Sequence, residues 1–505
     1  MAEKEIKRTE GLPEPPPEIV VAPEKRKIDW KRIFIILIGL AIFLVIFYCP
    51  SWPDAVDPQG KHFPLPKEGK AAIGLFLMIG TWWLFEVVPI GIAAIAIGVF
   101  QALFAIRPAK DAFKDFFDPA VFFIFGSLVI GLAFTKTGLT KRLAYKMLSV
   151  VGERTSMMLL GACLITASLT LVMAHTAAAA TVFPLLMAIY ALYGEGEKPT
   201  NFGKALFIGM AWSAGTGSII SMLGSARAPA AAGMFREFTG REIGFFDLPK
   251  YMILLAIIML FVIWAYLMIF LKPEKKTIPG IKEKVKALSK KLGPMTWQEK
   301  FVICTVGLVV GIMGLQAFIP ALKGIDRSAI MLVGTLIFFF FKVLTIKELE
   351  DMPWNIILLF GGAMSIGFCL WKSGGAQWLA IEWLTMFKQA HWLVFVCSVA
   401  FFVLVTTNFI MNVAAIALSL PISLVVANYL GVSPEVIVYA SLVAAGQPMF
   451  LIIGQAPNVI AYGSGQFSAG EFFKYGMLPT FILMFILAAV IYFLWPILGM
   501  PVLVK

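Results

Sequence analysis

Ionisable side chains are scarce in the apolar stretches of this sequence, and three of them stand out: Glu86, His175 and Arg227. A charge in hydrocarbon is costly, so a group of this kind usually has a partner or a function. Glu86 lies near the end of an apolar stretch and reads as an interfacial anchor or a helix-packing partner. His175 precedes a run of alanines. It is either a structural hydrogen-bonding group, or a group that donates to a carboxylate or carries a proton near neutral pH.

Arg227 lies between Gly224 and Pro229, which interrupt a long apolar segment. Its fork-shaped guanidinium suits bidentate binding of a carboxylate or a sulfate. Alternatively it forms a structural ion pair, for which Glu86 is the obvious intramembrane partner. The sequence leaves both interpretations open.

The second half of the chain places neutral polar groups at comparable positions. Thr407 and Asn412 lie on one apolar stretch, and Gln455 and Asn458 lie on another. Hydroxyl and amide groups can coordinate a hard cation through oxygen or donate to an anion. These residue types therefore indicate binding rather than covalent chemistry.

Sequence motifs of enzymes are missing. The chain has no H-E-x-x-H, no G-x-x-x-x-G-K-[ST], no G-x-S-x-G and no C-x-x-C. Direct ATP coupling is therefore not expected, which leaves ion gradients or exchange as energy sources. A membrane-embedded enzyme, with His175 as base and Arg227 as anion clamp, would need a nucleophile or metal cluster that the surrounding alanines do not supply. A passive anion channel is a further alternative, for which unitary currents would be the sign.

Composition identifies the setting of these residues. The chain has 505 residues, of which 60% are apolar and 14% charged, against roughly 25% charged in a soluble domain. Several apolar runs reach the length that crosses a bilayer. The composition thus excludes soluble enzymes, nucleic-acid modules and secreted disulfide frameworks. The five cysteines have no paired spacing and read as apolar fillers.

The net charge of +12 comes from 42 basic and 30 acidic residues. Lys and Arg collect in cytoplasmic loops, so the excess predicts topology and no nucleic-acid partner. Basic residues before the first apolar span place the N-terminus in the cytoplasm, and the multi-pass protein is expected in the plasma (inner) membrane. The loop 272–297 holds eight lysines between Lys272 and Gly293 and is predicted to be cytoplasmic too.

The predicted fold is an all-α membrane protein with about eleven transmembrane helices and two re-entrant helical hairpins. Counting crossings between the basic landmarks gives eleven only if both hairpins return without crossing. The predicted segments, in chain order, are a flexible cytoplasmic tail 1–33, a first span with its extracytoplasmic loop 34–69, a first repeat 70–271 with hairpin 156–192 and broken helix 206–245, the basic loop 272–297, and a second repeat 298–497 with hairpin 390–427 and broken helix 435–462.

An internal repeat underlies this division. Gly131, Lys136 and Gly138 recur as Gly367, Lys372 and Gly374, and the polar centres of the two hairpins recur at nearly the same offset. An odd number of spans separates equivalent points, so the second copy is inverted in the membrane. This pattern is typical of secondary transporters, in which discontinuous helices meet near the midplane and supply dipoles for an anion and its coupling cation.

The sequence resembles the divalent anion/sodium symporter family, which contains dicarboxylate, citrate and sulfate carriers. The resemblance covers roughly residues 70 to 500. Its markers are Trp82-Trp83 with Glu86 and Pro89, the run from Lys136 to Ala144, the hairpin prolines Pro184 and Pro421, and the stretch from Gln455 to Gly465. The resemblance implies a homodimer with elevator-type alternating access, no cofactor, and sodium or a proton as the coupling ion.

The resemblance also implies the site residues by position. The substrate-binding set is His175, Thr176, Ser225, Arg227, Asn412, Val413, Gln455, Ala456 and Asn458. The two cation-binding sets are Thr170, Ala174, His175 and Gly224 in the first half, and Thr407, Ile410, Asn412 and Gly454 in the second half.

The chain departs from the family's pattern in both halves. The family has a Ser-Asn-Thr triplet at each hairpin tip, whereas the first tip here keeps only Thr176 and the second only Asn412. The first Pro-Pro-Asn break is replaced by Ala-Arg-Ala around Arg227. An imidazole is a poor ligand for a hard cation, so the second cation site is the better one. The hypothesis is that His175 and Arg227 supply positive charge where relatives bind sodium.

The expected function is secondary active transport of small divalent organic anions, most simply C4-dicarboxylates. Coupling to sodium is then weakened, or replaced by proton coupling or anion exchange. A sulfate, sulfonate or tricarboxylate carrier of the same family is the alternative, since an extra Arg could serve a more highly charged anion.

Overall fold

The computed structural model describes residues 29–56, 60–85, 87–150, 152–193, 199–316, 319–384 and 391–504. Glu86 and most of the predicted tail lie outside these ranges. Nine helices among the described residues are long and apolar enough to cross a membrane, and four shorter helices are also apolar. That figure rests on length and composition, so it is not itself a number of crossings.

Helices dominate the described part of the chain. The first half contains α1 Trp30–Tyr48, α2 Lys67–Leu84, α3 Ile90–Leu103, α4 Ala109–Lys114, α5 Pro119–Thr137, α6 Leu139–Val150, α7 Thr155–Leu169, α8 His175–Tyr190, α9 Asn201–Gly217, α10 Arg227–Thr239 and α11 Asp247–Phe270. The second half contains α12 Ile281–Lys291, α13 Trp297–Leu315, α14 Pro320–Lys323, α15 Arg327–Phe340, α16 Ile346–Glu350, α17 Trp354–Lys372, α18 Gly375–Leu384, α19 Trp392–Phe409, α20 Asn412–Tyr429, α21 Pro434–Ala445, α22 Ala456–Tyr462, α23 Ala469–Ala489 and α24 Trp495–Ile497.

Local capping explains where several helices begin, and it moves two predicted boundaries. Asp29 accepts a hydrogen bond from the Arg32 backbone N–H at 3.0 Å, so α1 starts before the predicted residue 34. Thr200 accepts one from Gly203 N–H at 2.9 Å, so α9 starts before the predicted residue 206. In both cases a side-chain oxygen satisfies a first-turn donor that has no partner within the helix.

Two predictions on secondary structure were incomplete. The basic loop 272–297 contains the helix α12, whose lysine-rich sequence also carries apolar residues at helical spacing. This helix packs on α6. The chain is also not wholly α, since β1 Ala55–Val56 and β2 His62–Phe63 form a small antiparallel sheet in the loop after α1.

The helices of the two halves pack in matching pairs. In the first half α7 and α8 form an antiparallel hairpin against α9, and in the second half α19 and α20 do the same against α21. Across the halves, α8 contacts α22 and α20 contacts α10. Likewise α5 packs on α15, and α3 packs on α17. Each of these contacts therefore has a counterpart when the halves are exchanged.

Small residues permit the closest of these contacts. A Cβ atom at Gly362 in α17 would lie 2.5 Å from the Cβ of Ala94 in α3. Helix association in membranes depends on close packing of this kind, because lipid provides no hydrophobic drive between helices.

Polar contacts tie several helix ends together at one face of the molecule. Glu274, in the basic loop, accepts from the Tyr193 hydroxyl at 3.0 Å and from Asn201 N–H at 2.6 Å. Lys204, near the start of α9, pairs with Glu471 near the start of α23. The ends of the first hairpin, α9 and α23 thus share one face with the basic loop.

A second set of ion pairs lies at the opposite ends of the helices. Arg236, near the end of α10, is 3.5 Å from Asp118 and 3.3 Å from Asp326, the capping residues of α5 and α15. Its neighbour Glu237 is 2.7 Å from Lys372 at the end of α17. These pairs connect the first broken helix to three of the surrounding helices.

Candidate functional site

The first hairpin tip closes directly onto the break between α9 and α10. His175 is the first residue of α8, and its backbone N–H donates to the Gly224 carbonyl oxygen at 2.9 Å. The ring Nδ1 lies 3.3 Å from the same oxygen. Because a carbonyl oxygen only accepts, Nδ1 carries hydrogen in this contact. The Gly224 oxygen, an expected cation ligand, is therefore already engaged by His175.

Gly224 is required by the close approach of tip and break. A Cβ there would lie 2.6 Å from the Thr170 carbonyl oxygen and 2.8 Å from Ser218 Cα. Thr170, at the end of α7, turns its hydroxyl back to the Ala167 carbonyl at 2.6 Å. The backbone thus brings the four predicted residues of the first cation site together, while their side chains offer few oxygen ligands.

Arg227 is 1% exposed and reaches from the first break to the second. Its Nη2 donates to Ser218 Oγ at 2.9 Å, and its Nε donates to the Leu442 carbonyl at 3.3 Å. Leu442 lies in the last turn of α21, where helix carbonyls carry partial negative charge. A Cβ at Gly446 would lie 2.6 Å from Nη2. The guanidinium therefore occupies space that only a glycine leaves free.

The expected ion pair of Arg227 does not form with any described carboxylate. Its Nη1 is buried and has no hydrogen-bond partner among the described residues. Glu86, the proposed partner, lies outside the described ranges. Within the described part of the chain, the site therefore holds a buried positive charge with a donor left over.

The second hairpin tip is fixed to its own break by neutral groups. Thr407 Oγ1 donates to the Ala445 carbonyl at 3.2 Å, and a Cβ at Gly454 would lie 2.9 Å from the Thr407 carbonyl. Asn412 begins α20 and is 5% exposed, and its side chain makes no hydrogen bond to a described residue. Ile410 lies between them, just after α19. Thr407 and Gly454 of the second predicted cation set are thus in contact beside the Ala445 carbonyl, and Asn412 lies at the start of α20.

Asn408 has a role that the sequence did not assign. Its Oδ1 accepts from the backbone N–H groups of Phe450 at 3.3 Å and Leu451 at 3.1 Å, which holds the second break in place. The polar run Thr406-Thr407-Asn408 was a signal in the sequence, but nothing local showed which of its members faces the break.

The predicted substrate residues of the second break divide into two kinds. Asn458 donates to the carbonyls of Pro448 at 2.8 Å and Leu451 at 3.1 Å, and it accepts from Gln455 at 3.0 Å. Its amide is thus occupied in shaping the break. Gln455 keeps a buried Oε1 without a partner among the described residues, as does Ser225 with its Oγ in the first break.

The main chains of the two breaks are in close contact where the breaks cross. A Cβ at Gly215 would lie 2.3 Å from the Gly446 carbonyl oxygen and 3.3 Å from Gln455 Oε1. Beside this crossing, Gln447 donates to Thr216 Oγ1 at 2.9 Å. The sequence did not predict Gly215, Gly446 or Gln447 as site residues, because their role depends on contacts between distant parts of the chain.

Four helices begin at predicted site residues: α8 at His175, α10 at Arg227, α20 at Asn412 and α22 at Ala456. Thr176 and Val413 follow in the first turns of α8 and α20. The first N–H groups of a helix have no internal partner and carry partial positive charge, so they favour an anion. Together with the guanidinium they make a centre suited to bind an anion rather than to perform covalent chemistry.

A cavity of about 480 Å³ leads along α8 from near the tip to the face that carries the basic loop. Ala177, Ala180 and Thr181 of α8 line one side, and Thr140 and Lys141 of α6 line the other. The equivalent arm α20 is almost wholly buried, and Ala417 is 0% exposed. The first hairpin is therefore open to one face while the second is closed.

Paired hairpins, broken helices that cross inside the bundle and apolar helices throughout define a polytopic membrane transporter. The chain matches the family described as the sodium:sulfate symporter transmembrane region over residues 30–501, and it belongs to that family. This confirms the predicted family and the prediction of an integral, multi-pass membrane protein that carries a small anion.

Relatives named sodium-dependent dicarboxylate transporter SdcS are similar along most of their length. The one from Staphylococcus saprophyticus is 25% identical over 463 residues, which is 87% of this chain and 88% of the relative. The one from Staphylococcus aureus strain MRSA252 is 25% identical over 503 residues, covering 94% and 93%. These relatives are transporters, which supports transport rather than catalysis as the class of activity.

Two solved structures share the fold at low sequence identity. Neisseria gonorrhoeae MtrF, described among antimetabolite efflux pumps, has a TM-score of 0.56 at 14% identity and covers 91% of this chain and 93% of its own. The Alcanivorax borkumensis YdaH transporter has a TM-score of 0.57 at 12% identity, with 93% and 98% covered. At these identities the likeness concerns the fold alone.

Proposed function

We propose that this protein is a secondary active transporter of small organic dicarboxylates, most simply C4-dicarboxylates. The observation that carries the proposal is the buried Arg227, which has a spare donor and lies where two broken helices cross. A dicarboxylate supplies the negative charge that this centre needs. The names of the relatives point to the same substrate class.

Alternating access by an elevator motion is part of the proposal. The moving unit contains both hairpins and both broken helices, and the remaining long helices form the frame. The matching contacts of the two halves support an inverted repeat. Both ends of the first hairpin contact the basic loop, which supports a hairpin that returns to the face from which it starts. Eleven crossings are part of the proposal. We further propose a cytoplasmic N-terminus, location in the plasma (inner) membrane and a homodimer.

Coupling is proposed to differ between the two halves. His175 occupies the Gly224 carbonyl, and Arg227 places its charge against the last turn of α21, so an engaged oxygen and a fixed positive charge lie where relatives would hold a cation. The Thr407 and Asn412 site keeps oxygen ligands suited to sodium. The carrier therefore uses at most one sodium ion, or it works by proton coupling or anion exchange.

Two measurements test the proposal. Thermal-shift assays of the purified protein with succinate, malate, citrate, 2-oxoglutarate and sulfate report the bound class, and stabilisation by C4-dicarboxylates above the others is expected. Stabilisation by sulfate or citrate alone would favour the alternative carrier. Succinate uptake into proteoliposomes with and without a sodium gradient tests coupling. Steep sodium dependence with a stoichiometry of two or more would contradict the proposed role of His175 and Arg227.

A further inference from the structure

The open cavity beside the first hairpin contains groups that the central site does not use. Lys141 and Thr140 lie in the first turn of α6, and both line the cavity. Opposite them are Thr181 and Ala180 of α8, and Leu288 of α12 closes part of the rim. The cavity begins next to Ala177, one position after Thr176 of the central site. The cavity therefore lies between the neighbourhood of the central site and the face of the basic loop.

Neighbouring basic residues are neutralised, whereas Lys141 is not. Lys136 forms an ion pair with Glu348, and Arg142 Nε lies 2.7 Å from Glu299 Oε1. Arg142 also donates to the carbonyls of Gly293 and Pro294 in the basic loop. Lys141 is exposed to the cavity and pairs with no described carboxylate. Its charge is therefore available to an incoming anion.

Thr140 provides an independent sign of a ligand. Its side chain is 1% exposed, lines the cavity, and leaves Oγ1 without a hydrogen-bond partner among the described residues. A buried polar atom without a partner costs about 1–3 kcal/mol, so such an atom at a cavity wall indicates an absent partner. The first N–H groups of α6, a helix of 12 residues, point the same way because they favour an anion.

We infer that Lys141, Thr140 and the start of α6 form a second anion-binding subsite, which holds one carboxylate of a dicarboxylate on its way between the central site and the cytoplasm. The inference rests on the proposed function. Lys141 pairs with the carboxylate, Thr140 donates its hydroxyl, and the alanine face of α8 contacts the carbon chain. The subsite therefore acts on substrate from one side of the membrane and not from the other.

The test measures half-saturating succinate from each side, in phosphatidylcholine proteoliposomes that carry the protein in one or the other orientation. For Lys141→Gln, the cytoplasmic value is expected to rise about threefold, the size typical of one partly exposed charge. The extracytoplasmic value should stay the same, Lys141→Arg should retain the wild-type value, and Thr140→Val should show a smaller rise. Lys300→Gln, which removes a charge from an exposed lysine at the start of α13, is the matched control and should change neither value.

Each outcome that contradicts the inference has its own interpretation. Equal changes from both sides with a lower melting temperature would show a merely structural role, and no change in Lys141→Gln with active wild-type vesicles would overturn the subsite alone. Wild-type vesicles that move no succinate would overturn the proposed function and the subsite with it. An effect that needs anionic lipid in the vesicles would assign Lys141 to lipid headgroups and would also overturn the inference.

Discussion

The two hairpin tips have the same architecture and opposite chemistry. The first tip is bound to its break by an imidazole and lies beside the buried guanidinium of Arg227. The second is bound by the hydroxyl of Thr407, and the amide of Asn408 holds its break. A fixed positive charge repels a cation and attracts an anion, whereas neutral oxygens accept a cation. One fold thus holds a fixed positive charge in one half and neutral oxygen groups in the other.

The arms of the two hairpins differ as well. Ala180 of α8 faces an open cavity, whereas the equivalent Ala417 of α20 is fully buried. Alternating access requires two equivalent elements in different surroundings. Exchanging those surroundings closes one face of the membrane and opens the other.

Replacing Arg227 should separate transport from stability. For Arg227→Met we expect succinate transport to fall about 100-fold, because a charge-assisted contact of 1.5–3 kcal/mol is lost. The melting temperature of the substrate-free protein should not fall, because burying a charge without an acidic partner is costly. Uptake and thermal unfolding check this, with Arg241→Met at an exposed position as control. Normal transport by Arg227→Met would show that Arg227 has no role in the site.

The crossing of the breaks should tolerate no side chain at Gly446. A Cβ there would lie 2.6 Å from Arg227 Nη2 and 2.8 Å from Ile219 Cγ2, so Gly446→Ala should cost about 2 kcal/mol. The control is Gly307→Ala in α13, where nothing lies within 4 Å of the added atom. This control should be neutral or stabilising. Denaturation in detergent compares the free energies of unfolding of the two variants. A loss of stability confined to Gly446→Ala would confirm the close contact at the crossing.

Cysteine labelling should detect the open and the closed arm. Ala180→Cys should react with a membrane-impermeant maleimide from the face of the basic loop about tenfold faster than Ala417→Cys, because a buried thiol reacts only after local opening. Mass spectrometry of peptides distinguishes these thiols from the five native cysteines. Equal labelling of the two positions would contradict the asymmetry. Labelling of Ala417→Cys from the other face during turnover would show that the second arm opens to that face.

The dependence of transport on sodium should change when the second tip is altered and not when the first tip is altered. Thr407→Ala should raise the half-activating sodium concentration about fivefold, since one oxygen ligand is lost. The matched change Thr170→Ala should leave it unchanged. Succinate uptake at graded sodium concentrations measures both variants. Equal effects would mean that the first site binds a cation despite His175.

The smallest expected effect concerns the ion pair between Glu348 and Lys136. A hydrogen bond from Lys136, aided by Thr345, lowers the pKa of Glu348 from 4.5 to about 2. A lowered pKa means that the carboxylate stabilises the fold above pH 4.5 and that this stabilisation is lost as the pH falls toward 2. Glu348→Gln should be slightly less stable than wild type at pH 7, and the difference should vanish in acid. A difference in melting temperature that is constant with pH would contradict this.

The sequence predicted the polar tips, the broken helices and the repeat because all three are local signals: a polar group or a Gly-Pro interruption within an apolar run. It predicted His175 and Arg227 for the same reason. The contact of Arg227 with Leu442 joins residues 215 positions apart, and Gly215 meets Gly446 across a similar distance in sequence. No periodicity encodes such contacts. Asn408 was missed because three adjacent polar residues look alike until the break packs against one of them.

Helix α12 was missed for a different reason. Its lysines suggested a solvated loop, and its contact with α6 joins parts of the chain that are far apart in sequence. Charge composition therefore did not predict the secondary structure of this segment.

The basic loop also connects the start of the first hairpin to α6 through a short length of chain. Ile278 donates its N–H to the Glu153 carbonyl just before the first hairpin, while α12 rests on α6. Only Pro279 and Gly280 separate Ile278 from α12, and three residue steps span at most about 10 Å. If the hairpin travels and α6 stays, a longer stroke must peel α12 away or unwind its first turn. The loop is then a tether whose length sets the end of the stroke.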